Sequence, residues 1–114
     1  MSPAAPDLLG TWTGTTISYD QEIGSANSGN ISVTMIISNQ KGRFFTGSLE
    51  WWANGNRSTI PVAGIIGRDG RTFTMLENRN EYVFGEILAT DEIELANLNT
   101  GSSGMISIDS LKRQ

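Results

Sequence analysis

With no histidine and no cysteine in the sequence, its carboxylates are the groups left for acid–base chemistry. Losing histidine removes the commonest general base and the commonest transition-metal ligand. Losing cysteine removes disulfides, thiolate zinc sites and thiol nucleophiles. Two acidic groups stand out. Glu77, Glu81 and Glu86 flank one expected hairpin, and Asp91, Glu92 and Glu94 cluster near the next. Paired carboxylates can serve as acid and base when burial splits their pKa values. Glu81, Asp91 and Glu92 fall at turns, where a carboxylate normally belongs to a solvated rim. Glu86 differs, because alternation puts it on one strand face with Tyr82, Phe84 and Leu88. If that face points inward, Glu86 is a buried carboxylate that needs a partner such as Arg43 or Arg71. Asp20 and Asp69 lack the spaced oxygen ligands of a calcium loop. No catalytic constellation results, and the reading is of a non-catalytic protein with no cofactor and no metal.

Strands must position these groups. No sustained apolar stripe recurs at helical spacing, whereas period-two alternation recurs throughout, with turn residues about every 8–12 positions. The pattern predicts eight strands, over residues 9–19, 31–38, 43–52, 58–66, 71–77, 81–89, 92–98 and 105–111. Asn54-Gly55 and Asp69-Gly70 are strong hairpin signals. Pro61 cannot donate to a ladder, so a bulge or a late start to the pairing is expected there. Residues 20–30 form the longest connection, and long connections in compact domains tend to be functional or disordered. With no crossover helix, the sheet must be antiparallel, and eight strands in sequence close on themselves to remove their edges. The fold class is therefore an all-β, eight-stranded antiparallel meander barrel. Residues 8–114 make one domain behind a flexible leader, residues 1–7. A two-sheet sandwich is the alternative.

Composition narrows the partners. The net charge is −4 and the basic residues are dispersed, apart from Lys112-Arg113, so no positive patch suits nucleic acid. No apolar run is long enough for a membrane-spanning helix. Residues 1–6 have neither the basic start nor the apolar core of a signal peptide. They read as a loose leader, or as the start left behind once a signal has been cut away. A cytoplasmic and an exported protein are thus both open.

Gly10-Thr11-Trp12 at the start of the first strand resembles the signature of the calycins, the lipocalin and avidin-like barrels. The resemblance implies an up-and-down barrel, a first loop that lids the open end, and a basic residue near the last strand's end packed on the tryptophan. Arg113 is placed for that role, since the end of an antiparallel last strand meets the start of the first. The chain is also similar to small bacterial and archaeal barrels of unassigned function. It shares with them Gly10 to Gly14, Gln40 to Gly47, Gly64 to Gly70 and Leu111 to Arg113. Avidin's set of biotin-contacting tryptophans is not reproduced, because beyond Trp12 there are only the adjacent Trp51 and Trp52.

The expected inward set is Trp12, Val33, Met35, Phe45, Leu49, Trp51, Val62, Phe73, Met75, Tyr82, Phe84, Leu88, Leu95 and Met105. Its aromatics argue for a filled interior, and inward Gly47 and Gly64 argue for some space. Trp51, Tyr82, Phe84, Glu86 and Met35 are the candidate ligand contacts, while Trp12 and Arg113 close the barrel. Adjacent strand residues face opposite sides, so Trp52 points out. With Ile36, Ala63 and Ile65 it would form an apolar outer patch, the mark of a partner surface and most simply of a homo-oligomeric dimer. The sequence supports two readings first: a barrel that binds a small apolar or amphipathic ligand, or a filled interaction module that works through homo-oligomerisation. An enzyme comes third, and it would need a carboxylate or tyrosine mechanism.

Overall fold

A computed structural model describes residues 5–20, 26–27, 31–53, 55–78, 81–99 and 105–114. Nine strands are found among them: β1 (Gly10–Asp20), β2 (Ala26–Asn27), β3 (Ser32–Lys41), β4 (Phe44–Ala53), β5 (Asn56–Ile66), β6 (Thr72–Asn78), β7 (Glu81–Ala89), β8 (Glu92–Asn99) and β9 (Met105–Arg113). The long strands pair antiparallel in chain order, and β1 closes the ring on β9. This seam runs from Trp12↔Arg113 to Asp20↔Met105. Pairing of β1 with β3 stops at Thr15↔Ser32. Two-residue β2 then takes the vacated place beside Ser18 and Tyr19. The meander barrel expected from alternation is therefore the fold.

Proline at position 61 does not interrupt β5. It pairs with Ser48 in unbroken register against β4. β6 reaches back along β5 only to Ala63, so Pro61 owes no donor on that side. The bulges lie elsewhere, between Ile37 and Asn39, Leu76 and Asn78, and Ile87 and Ala89.

Inward side chains fill one half of the barrel. Phe45 and Phe73 meet edge to face, with ring centroids 5.6 Å apart. Each ring lies over a glycine on the neighbouring strand. A Cβ built on Gly64 would sit 2.3 Å from Phe45 Cζ, and one on Gly85 would sit 2.1 Å from Phe73 Cζ. The space expected at Gly64 is thus ring volume. Trp12, Met35, Ile37, Ile66, Ile93, Leu95 and Leu111 complete this buried half.

The closed end is tied shut by residues on either side of β1. Trp12 Nε1 donates to the Leu8 carbonyl at 2.9 Å, and Leu8 is itself buried. Of the expected leader, residues 5–7 lie against this end. Gln40 Nε2 donates to the Pro6 carbonyl at 2.8 Å, and Gln40 Oε1 accepts from Leu8 N. The Arg113 guanidinium covers the Trp12 ring and donates to the carbonyls of Leu9, Asp7 and Thr90. Asp69 serves its own turn, accepting from the amides of Arg71 and Thr72. Those two bonds hold its carboxyl below the usual range.

A candidate ligand cavity at the open end

Inward positions change character toward the other end. Following Leu95 along β8 leads to Asn97, Leu111 along β9 leads to Asp109 and Ser107, and Trp12 along β1 leads past Gly14 to Thr16 and Ser18. These polar groups, with Glu77 and Glu81, form one wall of a cavity of about 220 Å³. Ile31, Val33, Leu49, Trp51 and Met105 form the rest of its lining. The cavity is therefore two-sided, apolar along β3 and β4 and polar from β6 round to β1.

Register accounts for the polar wall. Asp109 is the direct partner of Thr16 across the β1–β9 seam, and Ser107 is the partner of Asn97 on β8. Asp109 is buried and hydrogen-bonded to Thr16 and Asn97. Burial raises its pKa, and those two bonds oppose the rise. Glu77 is the extra residue of the β6 bulge, between paired Leu76 and Asn78. Glu77 is only 8% exposed. Desolvation first, then a shared hydrogen bond and charge repulsion with Glu81, then the charge of Asp109, push its carboxyl up to about 9. A protonated Glu77 is the cheaper buried form, since an unpaired carboxylate in such a site is costly.

Two acceptor atoms on this wall are buried and make no hydrogen bond among the described residues, Glu77 Oε1 and Asn97 Oδ1. Native proteins rarely leave such groups without a donor. No lysine or arginine is among the lining residues, and no three metal-ligating side chains converge on one point among the described residues.

The residues singled out from sequence separate into three sets. Trp51 lines the cavity, and Met35 lies fully buried below it in the packed half. Tyr82, Phe84 and Glu86 point outward, as does Leu88; Tyr82 is 47% and Phe84 51% exposed. β7 is apolar on both faces, so alternation alone left its orientation open. The register sets Gly85 opposite Phe73, whose ring fills the interior there, and the smaller face of Val83, Gly85 and Ile87 turns in. Glu86 consequently needs no buried partner. Met105 keeps the inward parity of β9 but stands at the rim, 38% exposed. Of the expected outer patch, Trp52 and Ala63 are exposed and Ile36 and Ile65 half-buried. Ser48 and Thr46 lie between Ile36 and Ala63, and Trp52 sits beside Ser32 and Arg57. The loop expected to lid the barrel falls mostly on residues 21–25 and 28–30, outside the described residues.

Glu77 and Asp109 were legible in principle. Glu77 continues the inward face of Phe73 and Met75, and Asp109 lies between inward Met105 and Leu111 at the same parity.

The fold and cavity together define a closed eight-stranded antiparallel meander barrel with one packed end and one open, part-polar end. Solved structures share this architecture. The S-type phycobiliprotein lyase of Guillardia theta aligns with a TM-score of 0.66 at 9% identity, over 94% of this chain and 88% of its own. A redesigned β-barrel aligns with a TM-score of 0.63 at 13% identity, over 94% and 91%. No protein-family model and no curated protein sequence matches the chain.

Proposed function

We propose that this protein is a non-catalytic, calycin-like binding barrel that takes one small amphipathic molecule into its open end. The observation that carries the reading is the two-sided cavity, with Trp51, Leu49 and Val33 facing Glu77, Asn97 and Asp109 across about 220 Å³. Ligand sites in barrels have this composition, an apolar wall with a few fixed polar groups. The fold shared with a phycobiliprotein lyase is consistent with it. Native mass spectrometry of protein gently purified from its own host tests the reading. A constant mass increment on the bare chain is expected, and its loss in a Trp51→Ala, Leu49→Ala variant ties it to the cavity. A bare chain that also fails to bind a panel of small amphiphiles overturns the proposal.

A second reading is supported by the outer surface. Tyr82, Leu98, Ile106 and Tyr19 are successive cross-strand partners on β7, β8, β9 and β1, and all are exposed. Phe84, Ala96, Ile108 and Ile17 form the next row. A continuous apolar face of this kind usually marks an interface. In this reading the protein is a homo-oligomer joined through the β7–β8–β9–β1 face, an arrangement compatible with an occupied cavity.

A further inference from the structure

Resting on the reading of the open end as a ligand site, we infer that its ligand is an organic cation, a small amphipathic amine whose ammonium group is held by Glu77, Asp109 and Asn97. The argument begins with hydrogen-bond accounting. Glu77 lines the cavity and is more than nine-tenths buried, and its Oε1 makes no hydrogen bond among the described residues. Asn97, half-buried on β8 along the same wall, has an Oδ1 that also makes no hydrogen bond among the described residues. Asn97 Oδ1 is an acceptor, and so is Glu77 Oε1 once the carboxyl is ionised, so the partner that completes this wall is a donor. An ammonium carries three donors and no acceptor.

Charge points the same way. The titratable groups on this wall are Glu77 from β6, Glu81 from β7 and Asp109 from β9. β1 and β8 contribute the neutral groups Thr16, Ser18 and Asn97, and no basic side chain lines the cavity among the described residues. An anionic ligand would meet only repulsion here. A neutral ligand would leave Glu77 protonated and poorly solvated. A cation supplies the charge that this wall lacks, while Trp51, Leu49 and Val33 receive an apolar body. A bare metal ion is disfavoured, because no set of three ligating side chains converges among the described residues.

The binding step has a proton balance. Near neutral pH Glu77 holds its proton, having been pushed up to about 9 by burial and by Glu81 and Asp109. An entering R–NH₃⁺ stabilises the carboxylate, so Glu77 gives its proton to solvent and an ammonium–carboxylate pair forms. Affinity therefore rises with pH toward about 9, by at most tenfold per pH unit for one linked proton.

The test uses the whole protein and three probes of matched size: 2-phenylethylamine, 2-phenylethanol and 3-phenylpropionate. Isothermal titration calorimetry in two buffers of different ionisation enthalpy reads affinity and proton release together. The expected result is that the amine binds at least tenfold tighter than the alcohol, the acid does not bind, and close to one proton leaves per amine at pH 7. Glu77→Gln should abolish the proton release, and Asp109→Asn should weaken the amine with little effect on the alcohol. If the alcohol binds as well as the amine and no proton moves in the wild type, the cation inference is overturned while the binding barrel stands. If none of the three binds at millimolar concentration, the cation inference is overturned, and the native mass increment decides the binding barrel separately.

Discussion

The guanidinium carbon of Arg113 lies 4.4 Å from the centroid of the Trp12 indole, and the two residues are direct partners across the β1–β9 seam. Arg113 Nη1 donates to the Leu9 carbonyl and Nη2 to the Asp7 carbonyl, both at 2.7 Å, with Thr90 O at 3.1 Å. Nε stands 3.4 Å from Asp91 Oδ1, an ion-pair distance without a directed hydrogen bond. One side chain thus joins the residues before β1, the β7–β8 turn and the seam itself. The cation–π contact contributes about 0.5–2 kcal/mol, and bonds to a charged donor about 1.5–3 kcal/mol each before non-additivity. Arg113→Ala is expected to lower unfolding free energy by about 2–4 kcal/mol in urea titrations. Arg113→Lys should recover little, because an ammonium cannot reproduce the planar fork. A loss under about 0.5 kcal/mol for the alanine variant would show that the seam closes without the clamp.

The packed half makes its own prediction. Phe73 occupies the space over Gly85, and a methyl group there meets ring carbons at 2.1–2.5 Å. Overpacking of this order typically costs about 1–3 kcal/mol. Gly85→Ala should destabilise the barrel by that amount, and Phe73→Leu should do so by leaving a cavity. The double variant should be less destabilised than the sum, since each change relieves the other. A double-mutant cycle by chemical denaturation measures the coupling, and simple additivity would mean that ring and glycine do not define one site.

This same ring explains how far alternation could carry the reading of the chain. The strands, their order and the seam follow from period-two patterning and short turns, because those signals are local. The facing of β7 does not, since Tyr82, Phe84 and Leu88 and the set Val83, Gly85 and Ile87 are both apolar. What decides is volume delivered from β6, a non-local fact. For the same reason the inward carboxylate is Glu77 rather than Glu86. The bulges also escaped, because β3, β6 and β7 carry no local mark as plain as Pro61 at their irregular positions.

Glu77 gives stability a sign with pH. Its folded pKa, pushed up to about 9, lies above its ordinary value of 4.5. A carboxyl raised on folding stabilises the folded state only while it is protonated, and this contribution is lost as pH rises through the window between those values. Asp109, also raised by burial, adds in the same direction. Unfolding free energy is expected to fall from about pH 5 to pH 9, with a slope of at most about 1.4 kcal/mol per pH unit per group. Glu77→Gln, neutral at every pH, should flatten most of that slope and be more stable than the wild type at pH 8. Guanidinium titrations at fixed intervals of pH check this, and a wild-type stability that rises across the window would contradict the buried, protonated Glu77.

The outer face carries the last expectation. Thirteen large apolar residues are well exposed among those described, and seven of them (Ile17, Tyr19, Tyr82, Phe84, Leu98, Ile106 and Ile108) lie together on the outer face of β7, β8, β9 and β1. The outward positions of β3 are instead Ser32, Thr34, Ile36 and Ser38, so the asymmetry is a property of one side of the barrel. Exposed β-branched and aromatic rows cost solubility unless something covers them. If a second copy does, size exclusion with light scattering should give a dimer or larger at micromolar concentration. Ile106→Lys with Ile108→Lys, two outward positions that touch neither core nor cavity, should then yield a folded monomer with unchanged amine binding. A wild-type protein that stays monomeric to high concentration would remove the homo-oligomer reading and leave the face for a different partner.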